Sequence, residues 1–293
     1  MRFGIAILPD RRWAESERRW RQAETYGFDH AWTYDHIGWR DLVDGPWFDA
    51  VPTLTAAAMV TSTIKLGTFV ASPNFRHPVP FARAVTSIDD ISNGRLLLGI
   101  GAGGLGFDAT VLGGSELPAR TRADRFEEFA GLLDEILRSD RTTFRGDHYA
   151  ATDARSTPGC VQQPRVPFVI AANGPRTMRL AVRLGQGWVT TGAPADDYEA
   201  WWRGVADLCV KLQEALAAAG RDPRDIDRYV SLDSSPVYSL SSLDAFTDAV
   251  GRAGELGFTD VVTHWPRESS WYSGDEAVLD EVAADMLASL RTG

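Results

Sequence analysis

Short apolar runs alternate with longer amphipathic segments along almost the whole chain. The short runs are typical of strands buried on both faces of a parallel sheet, and they are Phe3–Leu8, His30–Tyr34, Ile64–Val70, Leu96–Ile100, Phe168–Ala171, Gly187–Thr190, Arg228–Leu232 and Asp260–Thr263. The longer segments repeat apolar residues at helical spacing, and they are Ala14–Tyr26, Trp47–Val60, Pro80–Ile91, Arg120–Leu137, Arg176–Leu184, Asp196–Ala219, Leu243–Leu256 and Glu276–Leu290.

This alternation predicts a closed barrel of the α/β class. Strand–helix units in succession form parallel sheets with right-handed crossovers. Eight such units favour a (β/α)8 TIM barrel over an open sheet. The rhythm is interrupted between about residues 101 and 163, which we interpret as an insertion after the fourth strand, with a small hairpin formed by Phe144–Tyr149 and the residues up to Val161. We expect a single domain spanning residues 1–293.

A glycine-rich stretch at the fourth strand raises one competing architecture. Residues 99–104 read Gly-Ile-Gly-Ala-Gly-Gly and superficially resemble the phosphate-binding turn of a dinucleotide-binding sheet. The spacing is not that of the GxGxxG fingerprint, and no helix opens directly behind it. It also follows the fourth strand rather than the first. The barrel therefore remains the preferred fold.

Composition and charge narrow the classes of function. The 293 residues carry a formal net charge of -10, which disfavours a nucleic-acid binder because phosphate contacts need a basic surface. Cys160 and Cys209 lie far apart, and no Cys/His spacing indicates a metal site. The apolar run at the N-terminus is too short for a signal peptide, and no run is long enough for a membrane span. We therefore expect a cytoplasmic enzyme without a metal ion, nucleic acid or membrane as partner.

Polar residues cluster just after the predicted strands, at the face of a barrel that carries active sites. Asp35 and His36 follow the second strand, and a polar stretch at residues 72–77 follows the third. His36 is the candidate catalytic residue, because an imidazole exchanges protons near neutral pH. Asp35 points to the opposite face of an extended strand, so we expect it to support the loop rather than to hold His36.

Two loops that contain glycine are candidates for contact with a cofactor. Small residues from Gly101 to Gly106 leave room for a flat ring or a phosphate group, and this is compatible with the alternative that they form a tight turn into the insertion. Residues 173–177 lead into a helix, whose N-terminal N–H groups and dipole attract phosphate. Arg176 and Thr177 can add side-chain donors, while Pro175 also fits simple capping of the helix.

Aromatic and histidine side chains near strand ends or in loops can line an apolar pocket, although each is also compatible with plain packing. They are Trp39, Trp47, Phe107, His148, Trp188, His264, Trp265 and Trp271. The loop that runs from Trp265 to Ser273, after the last strand, is a candidate lid.

Four segments occur in an order that resembles a known family. They are Phe3-Gly4-Ile5 with Ala23–Phe28, then Trp32–His36, then Ile64–Pro78 with Ser92–Gly103, and finally Ala172–Thr177 with Gly187-Trp188. Together they resemble the luciferase-like monooxygenase superfamily over essentially the whole chain. The resemblance implies a (β/α)8 barrel that uses flavin mononucleotide (FMN) or the deazaflavin coenzyme F420.

The resemblance also implies roles for individual residues. In the F420 branch an Asp-His pair at the end of the second strand lies beside the redox ring, and Asp35-His36 matches it. The third strand ends in a bulge with a cis peptide bond that does not precede proline, and the matching bond is Phe69-Val70. The expected contacts with the cofactor are Asp35, Phe69, Val70, Ala71, Ser72, Gly101, Gly103, Gly104, Asn173, Gly174, Pro175, Arg176 and Thr177, the last four at its phosphate.

The leading hypothesis is an oxidoreductase that transfers hydride between coenzyme F420 or FMN and a small organic substrate. The Asp35-His36 pair favours F420 over FMN. One alternative is a monooxygenase in which FMN, reduced by a separate reductase, activates oxygen. A second alternative is a barrel that has lost catalysis and serves as a cofactor-binding subunit. The resemblance further implies a homodimer and a flavin or F420 reductase as partner.

One departure from the family pattern concerns the fourth-strand glycines. Sugar-phosphate dehydrogenases of the F420 branch carry an acidic residue just after them, where this chain has Gly104. The departure argues against oxidation of a sugar phosphate. It also leaves His36 without an evident second acid/base group.

Overall fold

Eight parallel strands close into a barrel in the computed structural model, which describes residues 1–287. In chain order the strands are β1 (Arg2–Ala6), β2 (His30–Thr33), β3 (Lys65–Thr68), β4 (Leu96–Ile100), β5 (Arg141–Arg145), β6 (Ala150–Arg155), β7 (Phe168–Ala171), β8 (Gly187–Thr190), β9 (Asp227–Ser231) and β10 (Asp260–His264). The order around the barrel is β1-β10-β9-β8-β7-β4-β3-β2, while β5 and β6 form a separate antiparallel hairpin. The predicted TIM barrel is confirmed.

Helices follow the strands and cover the outside of the barrel. They are α1 (Trp13–Tyr26), α2 (Ala50–Val60), α3 (Pro78–Ile91), α4 (Phe107–Thr110), α5 (Ala119–Arg138), α6 (Pro175–Leu184), α7 (Tyr198–Ala219), α8 (Leu243–Glu255) and α9 (Glu276–Val282). Single 3-10 turns lie at Arg40–Leu42, Pro223–Asp225, Leu232–Ser234 and Ser239–Ser241. The last predicted helix continues from α9 as a π-helical segment, Ala283–Leu287, and its final residues 288–290 lie outside the described range.

The stretch between β4 and β7 contains more of the barrel than we expected from the sequence. Its long helix α5 packs against α3 and α6, so it belongs to the outer layer of the barrel. The β5–β6 hairpin and the four-residue helix α4 are the additions to this layer. So short a helix has no periodicity for the sequence to display, which explains why we read its residues as loop.

Two apolar layers hold the fold together. One lies inside the barrel and includes Trp32, Phe69 and Tyr229, and the other lies between the strands and the helices. Glycines in the strands make room for the large interior rings. A Cβ atom on Gly67 would lie 2.3 Å from Trp32, so only glycine lets β3 approach that indole.

The first and last strands are joined by a buried polar network at the N-terminal end of the barrel. Arg2 of β1 donates two hydrogen bonds to Asp260 of β10, at 2.8 and 2.7 Å. His30 of β2 lies 3.0 Å from the same carboxylate through Nε2. The network thus connects three neighbouring strands at the face of the barrel that is typically used for stability rather than catalysis.

Within residues 1–287, none of the helices combines the length and hydrophobicity that crossing a membrane requires. The same part of the chain contains no cluster of His, Cys, Asp and Glu that can hold a metal ion.

Candidate active site

A cavity of about 540 Å³ opens at the C-terminal ends of the barrel strands. Among the residues predicted from the sequence, those that line it are His36, Phe69, Val70, Ser72, Gly101, Gly103 and Gly104. The Phe69-Val70 peptide bond is cis, as the family resemblance implied. The tertiary structure therefore brings together the ends of β2, β3 and β4 around one space.

Glycines form one tightly packed wall of this cavity. A Cβ atom on Gly101 would lie 2.9 Å from the Val70 side chain. Gly103 has a φ of +78°, and a Cβ atom there would lie 2.6 Å from the Asn74 amide oxygen. Larger residues would push these neighbours apart or project into the cavity. The wall therefore stays smooth only with glycine at these positions.

His36 is held in place by a carboxylate that the sequence did not indicate. Its Nδ1 lies 2.5 Å from Asp108 Oδ2, and Asp108 is buried at the start of α4. The other carboxylate oxygen accepts backbone hydrogen bonds from Ile37 at 2.9 Å and Gly38 at 3.2 Å. Trp47 donates its indole N–H to the His36 carbonyl at 2.8 Å. Both the ring and the backbone of His36 are thus fixed.

This arrangement determines which ring nitrogen can do chemistry. A carboxylate at Nδ1 favours the tautomer that carries its proton there, which leaves Nε2 as the acceptor. No residue that the structure describes bonds Nε2. The acidic group that the sequence left unidentified beside His36 is thus Asp108. Asp108 lies 72 residues further along the chain, so no local pattern pointed to it.

Asp35 supports the loop, as we expected from its orientation, and it does not line the cavity. The side chain is buried, and both carboxylate oxygens accept hydrogen bonds from Arg76, at 3.1 and 2.6 Å. Arg76 also reaches Asp49, which caps the start of α2. Ala71 is likewise buried behind the cavity wall, where it pairs with Ile100. The contact with the cofactor predicted for Asp35 and Ala71 therefore has no counterpart among the lining residues.

Residues 173–177 begin α6 but do not line the cavity either. The Asn173 amide bonds the Gly192 carbonyl at 2.6 Å and the Thr190 hydroxyl at 2.7 Å, so it supports the loop after β8. The Arg176 guanidinium is paired with Asp124 and Glu127 of α5. Gly174 caps the helix without a side-chain bond, next to Pro175 in the first turn, and the Thr177 hydroxyl donates to the Gly174 carbonyl at 3.1 Å. The predicted phosphate contact thus retains backbone N–H groups but not a free guanidinium.

A larger groove, of about 1030 Å³, lies between α6 and α7 on the outside of the barrel. Asn173 and Pro175 border it, together with Met178, Val182 and Lys211. We place the candidate active site at the barrel mouth despite the smaller volume there. The mouth is where hydrogen-bonded histidine–carboxylate pairs meet a cavity, and active sites occupy this end of the fold.

A second histidine network lies on another side of the mouth cavity. The Tyr34 hydroxyl lies 2.9 Å from His264 Nε2 and 2.8 Å from the Tyr272 hydroxyl. His264 Nδ1 lies 2.9 Å from Asp233. Tyr34, Asp233 and Tyr272 line the cavity, and His264 lies behind them. Sequence analysis singled out His264 as a wall candidate but missed its three partners, which come from three separate loops.

Four of the remaining candidates lie in the cavity wall or the core, whereas Phe107 and His148 are exposed and do not line the cavity. Trp39 and Trp271 line the mouth, and the Arg40 guanidinium packs over both indole rings. Trp188 and Trp265 are instead fully buried in the core. The loop after β10 does reach the cavity, because Trp271 and Tyr272 line it. Trp271 also donates its indole N–H to Asp41 at 2.6 Å.

Comparison with known proteins agrees with this geometry. The sequence pattern of the luciferase-like monooxygenase family matches residues 1–265. The chain belongs to the luciferase-like monooxygenase family. The match begins at the first strand of the barrel and ends just after β10, so it includes every strand end that borders the cavity.

Two proteins that are similar in sequence illustrate the activities for which relatives of this chain are named. An F420-dependent glucose-6-phosphate dehydrogenase of Kineococcus radiotolerans is 34% identical over 228 residues, which cover 75% of this chain and 65% of the relative. A 5,10-methylenetetrahydromethanopterin reductase of Archaeoglobus fulgidus is 30% identical over 79% of this chain and 64% of the relative. The chain thus spans less than two thirds of the length of these luciferase-like relatives.

A solved structure shows the same fold at lower identity. A monooxygenase from Streptomyces bottropensis superposes with a TM-score of 0.80 and 20% identity, over 99% of this chain and 100% of that one. The barrel fold is therefore shared over the whole extent of both chains.

Proposed function

We propose that this luciferase-like protein is an oxidoreductase that transfers hydride between coenzyme F420 or FMN and a small organic substrate. The observation that carries the proposal is the His36–Asp108 pair on the wall of a smooth-sided cavity at the barrel mouth. Family membership supports a flavin-type cofactor. The F420-dependent dehydrogenase among the relatives favours F420 over FMN.

The cavity has the size and wall chemistry for the ring of such a cofactor. Its volume lies in the range of about 300–1,000 Å³ that is usual for small-molecule sites. Phe69, Val70 and the glycines at 101, 103 and 104 would hold the ring, since together they form a wall without polar side chains. Contact of the phosphate with Gly174–Thr177 stays a prediction that rests on the backbone N–H groups of α6.

When bound, the ring supplies the position that accepts or releases hydride. The residues of the chain handle the accompanying proton. With Nδ1 bound to Asp108, His36 Nε2 can take the proton of a substrate hydroxyl as hydride leaves the neighbouring carbon. Asp108 keeps the ring oriented and stabilises the imidazolium that forms. This division of roles follows from the tautomer that the carboxylate imposes.

Spectral titration of the purified protein with F420 and with FMN tests the choice of cofactor. Binding of F420 alone supports the proposal in its favoured form, and binding of FMN alone assigns the other branch. If neither binds, the proposal fails and a non-catalytic role is favoured. A monooxygenase would instead consume oxygen when it is given reduced FMN and substrate, so oxygen uptake separates the two reactions.

The variant His36→Ala tests the catalytic role directly. We expect turnover in a panel of small alcohols and carbonyl compounds to fall by about 10²–10⁴-fold, the usual contribution of a general acid/base group. Cofactor affinity should remain close to that of the wild type. His77→Ala is the matched control, because His77 caps α3 through Nδ1 and lies outside the cavity lining. Full activity of His36→Ala would remove His36 from the mechanism.

Homodimerisation and a reductase partner stay predictions from the family resemblance, and a cytoplasmic location stays a prediction from the composition and patterning of the sequence. Light scattering of the purified protein measures the first. Activity with and without an added flavin or F420 reductase measures the second, and cell fractionation measures the third.

A further inference from the structure

The network around His264 has a defined direction of hydrogen bonding. Asp233 accepts bonds from the Ser239 amide at 2.8 Å, the His264 amide at 2.7 Å and the Thr263 hydroxyl at 3.2 Å. A carboxylate surrounded by donors acts as an acceptor, so His264 Nδ1, 2.9 Å away, carries the proton of that contact. In the neutral ring Nε2 is then an acceptor.

This tautomer sets the orientation of the two tyrosine hydroxyls. Tyr34 must donate to His264 Nε2, because that nitrogen has no proton to give. Since Tyr34 has only one hydroxyl proton, the bond between the tyrosines must be donated by Tyr272. These bonds form a hydrogen-bond chain from His264 through Tyr34 to Tyr272. Tyr272 lines the cavity wall, so the free lone pair of its Oη is the acceptor at the cavity end of this hydrogen-bond chain.

Protonation of His264 reverses two hydrogen bonds, the one between His264 and Tyr34 and the one between Tyr34 and Tyr272. An imidazolium donates from Nε2 to Tyr34, Tyr34 then donates to Tyr272, and the Tyr272 hydroxyl donates into the cavity. The ring of His264 stacks on that of Tyr272, with centroids 3.8 Å apart, which keeps both ends of the chain aligned. The charged groups that face this chain are Asp233 behind His264, His36 beside Tyr34, and Arg40 and Arg267 beside Tyr272.

We propose that Tyr272 is a second acid/base group of the active site, which exchanges protons with His264 through Tyr34. The proposal rests on the hydride-transfer function proposed above. Burial raises the pKa of Tyr34 and brings that of Tyr272 to about 12, so both hydroxyls stay protonated at neutral pH and can pass a proton along the chain. His36 and Tyr272 thus provide two separate proton positions on one cavity.

The chemistry of hydride transfer gives both positions a use. An alcohol that is oxidised to a carbonyl loses one hydride and one proton, and a neutral reduced acceptor gains one hydride and one proton. His36 takes the proton from the substrate. Tyr272 gives a proton to the acceptor in the cavity. At the same time the hydroxyl proton of Tyr34 moves to Tyr272, and the Nε2 proton of His264 moves to Tyr34. Each transfer breaks one bond to hydrogen and forms another, and the reverse reaction runs them backwards.

Nitrogen-15 NMR of the His264 ring in the cofactor-free protein tests the direction of the chain. We expect the neutral ring to carry its proton on Nδ1, and Tyr34→Phe to shift the Nε2 resonance. Tyr238→Phe is the matched control, because that hydroxyl donates to the His264 backbone carbonyl at 2.7 Å and not to the ring. A neutral ring protonated on Nε2 would overturn the proposal, whether or not the protein transfers hydride.

Kinetics of the loaded enzyme test the catalytic role. Tyr272→Phe keeps the stacked ring and removes only the hydroxyl, and we expect it to lower kcat by about 10²-fold with KM nearly unchanged. It should also abolish one limb of the pH profile. His264→Gln should lower kcat equally, and the double variant should be no slower than either, because the groups act in series. Additive losses, or a change in KM alone, would contradict the relay, while absence of turnover in the wild type would count against the proposed function instead.

Discussion

At the scale of single residues, the chemistry of this site depends on which carboxylate meets which histidine. Asp35 is next to His36 in the sequence, yet it pairs with Arg76 and faces away from the cavity. Asp108 is remote in the sequence, and it fixes the reactive ring. The reason is geometric. Consecutive residues in an extended segment point to opposite faces, so Asp35 and His36 diverge. The segment after β4, which carries Asp108, can reach His36 across the mouth of the barrel.

Asp108→Asn is the sharpest test of this pairing. The two backbone N–H groups of Ile37 and Gly38 would hold the amide oxygen, so the amide NH₂ would face His36 Nδ1. The ring would then have to carry its proton on Nε2, which makes it unable to accept one there. We expect kcat to fall by about 10²-fold or more, comparable to loss of the base itself. The melting temperature should change little.

Steady-state kinetics and thermal unfolding measure the two effects. Asp147→Asn is a suitable control, because Asp147 is exposed in the turn of the β5–β6 hairpin. If Asp108→Asn retained full turnover, the tautomer argument for His36 would be wrong.

At the scale of elements, a single side chain of α1 connects this helix to the loop before β3, at the N-terminal end of the barrel strands. Glu24 of α1 accepts hydrogen bonds from the backbone N–H groups of Ser62, Thr63 and Ile64, just before β3. Partial burial alone would raise its pKa, but these bonds outweigh the burial and lower the pKa to about 2. The carboxylate therefore connects the end of one helix to the start of a strand that reaches the active site.

Glu24→Gln should weaken this connection in a manner that depends on pH. Because the folded pKa lies below the unfolded one, the stabilisation is present above the unfolded value and is lost as the pH falls towards about 2. We expect a loss of about 1 kcal/mol in the free energy of unfolding at neutral pH, less than the shift alone implies, because solvent screens the partly exposed carboxylate. Below the folded pKa the variant and the wild type should converge.

Urea denaturation at several pH values measures this difference. Glu17→Gln on the same helix is the control, since Glu17 only pairs with Arg21 at the surface. A difference between Glu24→Gln and the wild type that did not vary with pH would contradict the assignment.

At the scale of the whole molecule, one buried carboxylate reinforces the closure of the barrel between β1 and β10. Asp260 is fully buried and joins Arg2 and His30 across three strands. Burial by itself would raise its pKa, but the bonds from His30 and Arg2 outweigh burial and lower it. Its contribution to stability is therefore present at neutral pH and is lost in acid.

Asp260→Ala should destabilise the fold by about 3–5 kcal/mol, because it removes the carboxylate that pairs with the buried His30 ring and with the Arg2 guanidinium. Chemical denaturation measures the effect, and cofactor affinity of the folded fraction should be retained, because the network lies at the opposite end of the barrel from the cavity. Asp227→Ala removes a contact from the same Arg2 at an exposed position, where about 0–1 kcal/mol is expected. If both variants lost the same free energy of unfolding, burial of Asp260 would not explain its contribution to stability.

Much of the architecture could be read from local pattern, because the period of apolar residues reports secondary structure directly. The barrel strands all appeared within a few residues of their predicted bounds, and alternation of strand and helix implied the closed parallel sheet. The same logic placed His36 and the fourth-strand glycines at one mouth, since parallel strands end at the same face. The cis bond at Phe69-Val70 came from the family resemblance, and no local pattern indicates it.

Only the tertiary structure decided how the polar groups are paired. Asp108 reaches His36 from α4, Asp233 reaches His264 from the neighbouring strand end, and Arg176 is occupied by carboxylates of α5. These contacts join segments far apart in the chain, and a periodic pattern carries no information about which side chains meet across them. A local pattern specifies on which strand, helix or loop a residue lies. The closed barrel specifies which side chain faces it, and that partner determines which of its atoms can take a proton.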